Sequence, residues 1–234
     1  LELEMRGIAA RIGGEADNSA PVQSGVIIAQ RVELDSLEAV LDALKKATPV
    51  KRFAIEAGET VQFAFQPEIY YEIVQGADLF CTPIDEKDLF GALKPIFEDP
   101  HAEVLAFDTK RLRHLLAKFQ ISIQAAVFDA MIADYLLDAT RPSTSLAMLC
   151  ERFDAHSKPN VAFLLSLKER MMRSLQEANM IKLYEEMELP LSNVLFEMEQ
   201  EGFRVDRDIL KQLQAQFNEQ SESLAKQIYE STGE

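Results

Sequence analysis

The densest cationic group in the middle of the chain is Lys110, Arg111, Arg113, His114 and Lys118, on a stretch with helical spacing. Such a face can bind phosphate, because clustered ammonium and guanidinium groups neutralise a nucleic-acid backbone. It can equally be a solvated helix surface. Asp108 stands just before this stretch, where a carboxylate caps the free N–H groups of a helix. Glu56 ends the β-rich run "FAIEA" as a strand-end acid. His101, His114 and His156 are scattered and have no second ligand at metal spacing. Cys81 and Cys150 are too few for a disulfide framework and read as buried thiols in a reducing compartment. There is no G-x-x-x-x-G-K-[ST] phosphate loop and no G-x-S-x-G nucleophile turn.

The elements that must hold these residues follow from period and punctuation. Residues 1–25 are small and polar and read as a poorly ordered linker. Val26–Val32 is β-rich. Asp35 is expected to cap a helix carrying Leu37, Val40, Leu41 and Leu44, with Glu38 completing a capping box. Four short strands are predicted at Arg52–Glu56, Val61–Phe65, Ile69–Val74 and Leu79–Thr82, paired antiparallel in succession. After Asp85 the period becomes helical at Leu89, Leu93 and Phe97, with Pro95 expected to disturb or end the helix. Val104–Phe107 reads as a buried strand, followed by a helix with Leu112, Leu115 and Leu116. Ile121–Phe128 reads as a further strand, after which Asp129 caps Ala130–Leu137. Helices dominate from Ser145 onward. Met171, Met172, Met180, Met187 and Met198 read as core or interface filler. The fold class is α/β, a mixed sheet with flanking helices and a C-terminal helical segment.

At 234 residues, with 47% hydrophobic and 27% charged content, the chain has the composition of a globular domain with an appendage. No apolar run is long enough to span a bilayer and no signal peptide is recognisable, so a cytoplasmic location is expected. The net charge of −15 argues against strong nucleic-acid binding by this chain alone. The first residue is Leu1 and the sequence stops at "STGE", so the chain reads as a piece of a longer polypeptide.

The stretch "LYEEMELPLSNVLFEMEQEGFRVDRDILKQLQAQFNEQ" combines a helical segment ending at Gly202, a short extended piece at Phe203–Val205 and a long polar helix opened by Asp206. It resembles the start of the polymerase domain in the bacterial DNA polymerase I family, the family A polymerases. Upstream, "DLFGALKPIFED" (Asp88–Asp99), "VLAFDTKRLRHLLAKFQI" (Val104–Ile121) and "AVFDAMIADYLLDAT" (Ala126–Thr140) resemble that family's 3′–5′ exonuclease domain. The resemblance implies a ribonuclease H-like sheet. It divides the chain into the linker at 1–25, an exonuclease-like domain at 26–182 and the opening helices of a polymerase domain at 183–234.

In active members of the family, four acids from three motifs hold two divalent metals, which activate water and clamp the scissile phosphate. The resemblance places Ala54 where the first motif, D-x-E, has its aspartate, leaving only Glu56. Asp108 takes the asparagine position of the second motif and Leu112 takes that of its aspartate. The third motif, Y-x-x-x-D, cannot lie between Asp154 and Asp206, where there is no aspartate. "YEEME" at Tyr184–Glu188 mimics the spacing but belongs to the polymerase-like stretch.

The implied site is therefore vestigial, with no catalytic set and no metal ligands. No cofactor is expected for this piece, and magnesium for the parent polymerase. Lys110, Arg111 and Arg113 are the candidate weak DNA contacts. DNA is expected to bind through the parent's polymerase domain, and the chain to be monomeric with no membrane partner. Two other readings stay open: a working 3′–5′ exonuclease with unusual ligands, and a protein-interaction module on the same fold.

Overall fold

A computed structural model of the chain describes residues 29–47, 49, 51–74, 84–153 and 159–232. The linker expected at 1–25, the strand expected at Leu79–Thr82, Cys81, Asp154 and His156 lie outside these residues. Six strands form one mixed sheet: β1 (Gln30–Leu34), β2 (Arg52–Ala57), β3 (Val61–Gln66), β4 (Ile69–Ile73), β5 (Glu103–Ala106) and β6 (Ala126–Asp129). Their spatial order is β1-β4-β3-β2-β5-β6. β2, β3 and β4 pair antiparallel in succession, as their short turn-bounded runs predict. β5 and β6 then run parallel to β2, and β1 lies parallel to β4 at the other edge.

Side-chain alternation along the strands gives each face of the sheet its own core. Phe53, Ile55, Phe63 and Val104 point to one face, where they meet α1 (Leu37–Ala47), α2 (Glu86–Phe97) and α3 (Thr109–Ala117). Phe53 there meets Phe97 edge-on, with ring centroids 5.7 Å apart. Ala54, Ala64, Leu105 and Phe128 point to the opposite face. Their cover is α4 (Ala130–Leu137), α5 (Leu146–Phe153) and α6 (Phe163–Glu177). Full burial of the phenylalanine, isoleucine, leucine and valine side chains contributes about 1.5–3 kcal/mol each.

Four local expectations change. Ser36, not Asp35, caps α1: its Oγ accepts from the Ala39 N–H at 3.3 Å. A serine one residue nearer the first apolar position reaches the open N–H better than the aspartate before it. Leu41 is exposed and Ala43 is buried in its place. Pro95 does not end α2, which continues to Phe97. Only two residues follow the proline, so a single lost hydrogen bond near the terminus is tolerated. Residues 121–125 are not strand, because their chain runs back under α2, where the Phe97 carbonyl accepts from Gln124 and Ala125. The strand begins only at Ala126.

Beyond α6 the chain enters a π-helical turn at Leu183–Glu188 that runs directly into α7 (Leu189–Glu201). The wider turn places Tyr184 in the second core. Gly202 stops α7 at φ +70, a left-handed geometry that suits glycine. Asp206 then accepts from the Asp208 and Ile209 N–H groups at 3.0 and 3.1 Å and opens α8 (Arg207–Thr232). No residue of α8 is buried. Met171 is in the core as expected, whereas Met187 and Met198 are exposed. Among the described residues no helix is long and apolar enough to cross a membrane.

Candidate functional site

The residues singled out for nuclease chemistry gather at one end of the two central parallel strands. β2 ends with Glu56 and Ala57, β5 passes through Ala106 into Phe107 and Asp108, and α3 begins at once. Asp108 is the N-cap of α3, with its Oδ1 accepting from the Arg111 N–H at 2.9 Å. Ile55, Glu56, Ala57, Ala106, Asp108, Arg111 and Leu112 line a crevice of only about 10 Å³. That is roughly room for one water molecule.

Ala54 and Leu112 are closed to solvent. Ala54 is 0% exposed, with Ala64 and Leu105 as its neighbours across the sheet. Leu112 is 5% exposed and packs in the other core, with Leu116 and Ile121. The two positions thus sit in different cores. Burial pushes the Glu56 carboxyl above the ordinary glutamate range; Arg111 pulls it down and Asp108 pushes it up. Arg111 is therefore the cation whose charge is felt between two acids. Two carboxylates beside an arginine, with alanine and leucine at the other positions, do not fit a pair of divalent metals. Among the described residues no group of three or more His, Cys, Asp or Glu could hold a metal.

A second acid, which the sequence marked only as a helix cap, is built in far more deeply. Asp129 ends β6 in register with Ala106 of β5. Its Oδ1 accepts from the Ile132 N–H at 2.9 Å, which is the expected cap. Its Oδ2 accepts from both the Thr109 N–H, at 2.8 Å, and the Thr109 hydroxyl, at 2.7 Å. The Tyr184 hydroxyl accepts from the Asp129 N–H at 2.8 Å and donates to its carbonyl at 3.1 Å. One residue thus ties β6 to the start of α3 and to the π-helical turn. Burial pushes its carboxyl up to about 6 against the pull of the donors.

The cationic face is partly occupied. Lys110 pairs with Glu199 of α7 at 2.7 Å, and His114 meets the other oxygen of the same carboxylate at 2.6 Å. Arg113 is half-buried and lies in the field of Glu197, while Arg111 faces the crevice. On this helix Lys110, Arg113 and His114 are turned to α7, while Arg111 and Lys118 stay exposed. Thr109, Tyr184 and Glu199 were missed as organising residues. A faint signal existed for the last, since Glu197, Glu199 and Glu201 are the acids of a helix with no cation of its own. Tyr184 gave none beyond the motif spacing it mimics.

Residues 62–160 match the family described as DNA polymerase I, ribonuclease H-like domain. That match includes Asp108, Leu112 and Asp129 and starts beyond Ala54 and Glu56. The DNA polymerase I of Caldicellulosiruptor bescii is 29% identical across 100% of this chain and 27% of its own length. That of Lactococcus lactis subsp. cremoris is 29% identical over 55% of this chain and 17% of its own length. The chain thus spans less than a third of each of these relatives.

Among solved structures, the POL domain of Pol1 from M. smegmatis, in complex with DNA primer-template and dNTP, superposes with a TM-score of 0.61 at 21% identity. The superposition covers 86% of this chain and 37% of that one. Escherichia coli RNase D, an exoribonuclease, superposes with a TM-score of 0.54 at 14% identity, over 72% of this chain and 51% of that one. At such identities the superpositions establish the fold, a ribonuclease H-like mixed sheet. The sequence matches run along its whole length, so the chain is similar to DNA polymerase I throughout.

Proposed function

We propose that this chain is part of a DNA polymerase I in which the ribonuclease H-like domain does not hydrolyse DNA and serves as a structural support for the polymerase. The parent would extend a primer from deoxynucleoside triphosphates with magnesium, in DNA replication and repair in the cytoplasm. It would hold DNA through its polymerase domain. The observation that carries the reading is the crevice of about 10 Å³ in which Glu56 and Asp108 face Arg111 and the buried Leu112. Two-metal hydrolysis needs several carboxylates converging on space for ions and a phosphate. Here one side is filled by a leucine and the other by a permanent cation.

A 3′-labelled single strand incubated with the chain and magnesium or manganese should stay full length, and primer extension by the chain alone should be absent. Metal-dependent shortening that disappears in Glu56→Ala would refute the reading. It would favour the second one, an exonuclease with unusual ligands, for which the proximity of Glu56 and Asp108 speaks. Single-stranded DNA should bind more weakly than about 1 μM at ~150 mM salt, since ordinary non-specific binding lies near that strength.

A further inference from the structure

The outer face of α3 and the inner face of α7 match in charge and in spacing. Lys110 and His114 are one turn apart on α3 and converge on one carboxylate, that of Glu199, at 2.7 and 2.6 Å. Gln200 donates from its side-chain amide to His114 Nδ1 at 2.9 Å, which leaves the proton on Nε2 to be donated to Glu199. The Phe196 ring stands edge-on to the imidazole, with centroids 4.9 Å apart. Arg113 lies in the field of Glu197, whose Oε1 also accepts from the Asn193 side-chain amide at 2.8 Å. Ser192 is buried one turn before Phe196. The contact therefore runs along α7 at positions 192, 196, 199 and 200, one continuous helical stripe.

At its other end α7 grows out of the π-helical turn that is fastened by Tyr184 to Asp129. From Tyr184 to Glu199 the chain spans roughly 20 Å at helical rise. Two fastenings at that separation set the direction of a rod, whereas Tyr184 alone would leave α7 free to swing.

We propose that the α3–α7 contact is an electrostatic latch that sets the direction of the helical extension, and that Glu199 is the positioning residue that closes it. This rests on the reading of the domain as a support and says how the support is delivered. The helix that would carry a metal-binding aspartate in a nuclease uses its cations to hold the extension. Lys110, Arg113 and His114 of the basic cluster are thereby accounted for without nucleic acid.

Backbone hydrogen exchange on the whole chain tests the latch. Glu199→Ala should speed exchange in residues 189–201 about tenfold and leave β2, β5 and β6 unchanged. The exchanged-charge pair Lys110→Glu with Glu199→Lys should recover most of the protection. Raising the salt to about 0.5 M should loosen α7 in the wild type and have no further effect in Glu199→Ala. Unchanged exchange in α7, exchange rising in core strands and α7 alike, or no recovery in the exchanged pair would each overturn the latch. Degradation of the labelled strand by the wild-type chain would instead sink the support reading and leave the α7 result standing.

Discussion

Asp108 and Asp129 hold equivalent places at the ends of neighbouring parallel strands, each after a phenylalanine and each capping the helix that follows. In sequence the two are almost the same signal, "FDT" and "FDA". In the folded chain they differ sharply. Asp108 is half-exposed, and its cap bond goes to Arg111 beside the Glu56 crevice. Asp129 is wholly buried and joins β6, α3 and the π-helical turn. Two identical caps therefore serve different ends. One edges the space where a nuclease would hold its metals, and the other is a structural hub behind it. On the proposed reading, metal ligands lost at the first place would leave the second untouched, so a degenerate site would persist on a sound fold.

The comparison is tested most severely at the site itself. Leu112→Asp, which puts an acid back at the second-motif position, should lose on the order of 4 kcal/mol in urea denaturation. It removes a buried leucine and leaves an unpaired carboxyl in its place. Joined with Ala54→Asp it should still give no nuclease, because positions 54 and 112 lie in different cores. A double variant that is as stable as wild type and shortens single-stranded DNA would mean that the cleft is open. Asp129→Ala should come next, at about 3 kcal/mol, since it strands the Thr109 and Ile132 N–H groups in the interior. A loss below about 1 kcal/mol would remove its claim to be a hub.

How far these differences could be read beforehand depended on whether the cause was local. Caps at Asp108, Asp129 and Asp206, the antiparallel run through Ile73 and the stop at Gly202 come from neighbours in sequence, and the chain itself spells them out. The Asp35 cap failed by one residue because Ser36 competes at the same site. The strand expected from Ile121 failed because alternating apolar residues also describe an irregular segment pressed under α2. Ala54 and Leu112 were marked only by resemblance, and their separation into two cores needed the sheet. Tyr184 and Glu199 act on partners 55 and 85 to 89 residues away, and no local pattern records such pairings.

Acidity separates the two regions next. Burial raises Asp129 from 3.8 to about 6, so the folded form binds its proton more tightly than the unfolded form. Its contribution to stability is full below about pH 4 and is lost as the pH rises through 6. The expected loss is on the order of 3 kcal/mol. It should show as a slope in the wild type that flattens in Asp129→Asn. Glu199 has the opposite sign. Its hydrogen bonds from Lys110 and His114 hold the carboxyl below the ordinary range. Its share is therefore present at neutral pH and lost on acidification below about pH 4.5. Acid should loosen α7 while it relieves Asp129, and parallel pH profiles for α7 and the sheet would contradict that division.

The smallest effect belongs to Asp108. Asp108→Ala removes one cap bond at a half-exposed position, which costs about 1 kcal/mol. Asp108→Asn keeps an acceptor oxygen for the Arg111 N–H and should stay close to wild type in stability. Both substitutions remove the charge that helps to raise the Glu56 carboxyl, so both should let Glu56 titrate at lower pH, as read from its side-chain carboxyl resonance. The pair therefore separates cap from charge. Stability should follow the acceptor, while the Glu56 titration should follow the charge. If Asp108→Ala cost as much as Asp129→Ala, the exposed cap would be a second hub. If Glu56 titrated unchanged in both variants, the two acids would not share the crevice, and the electrostatic description of the degenerate site would fail with them.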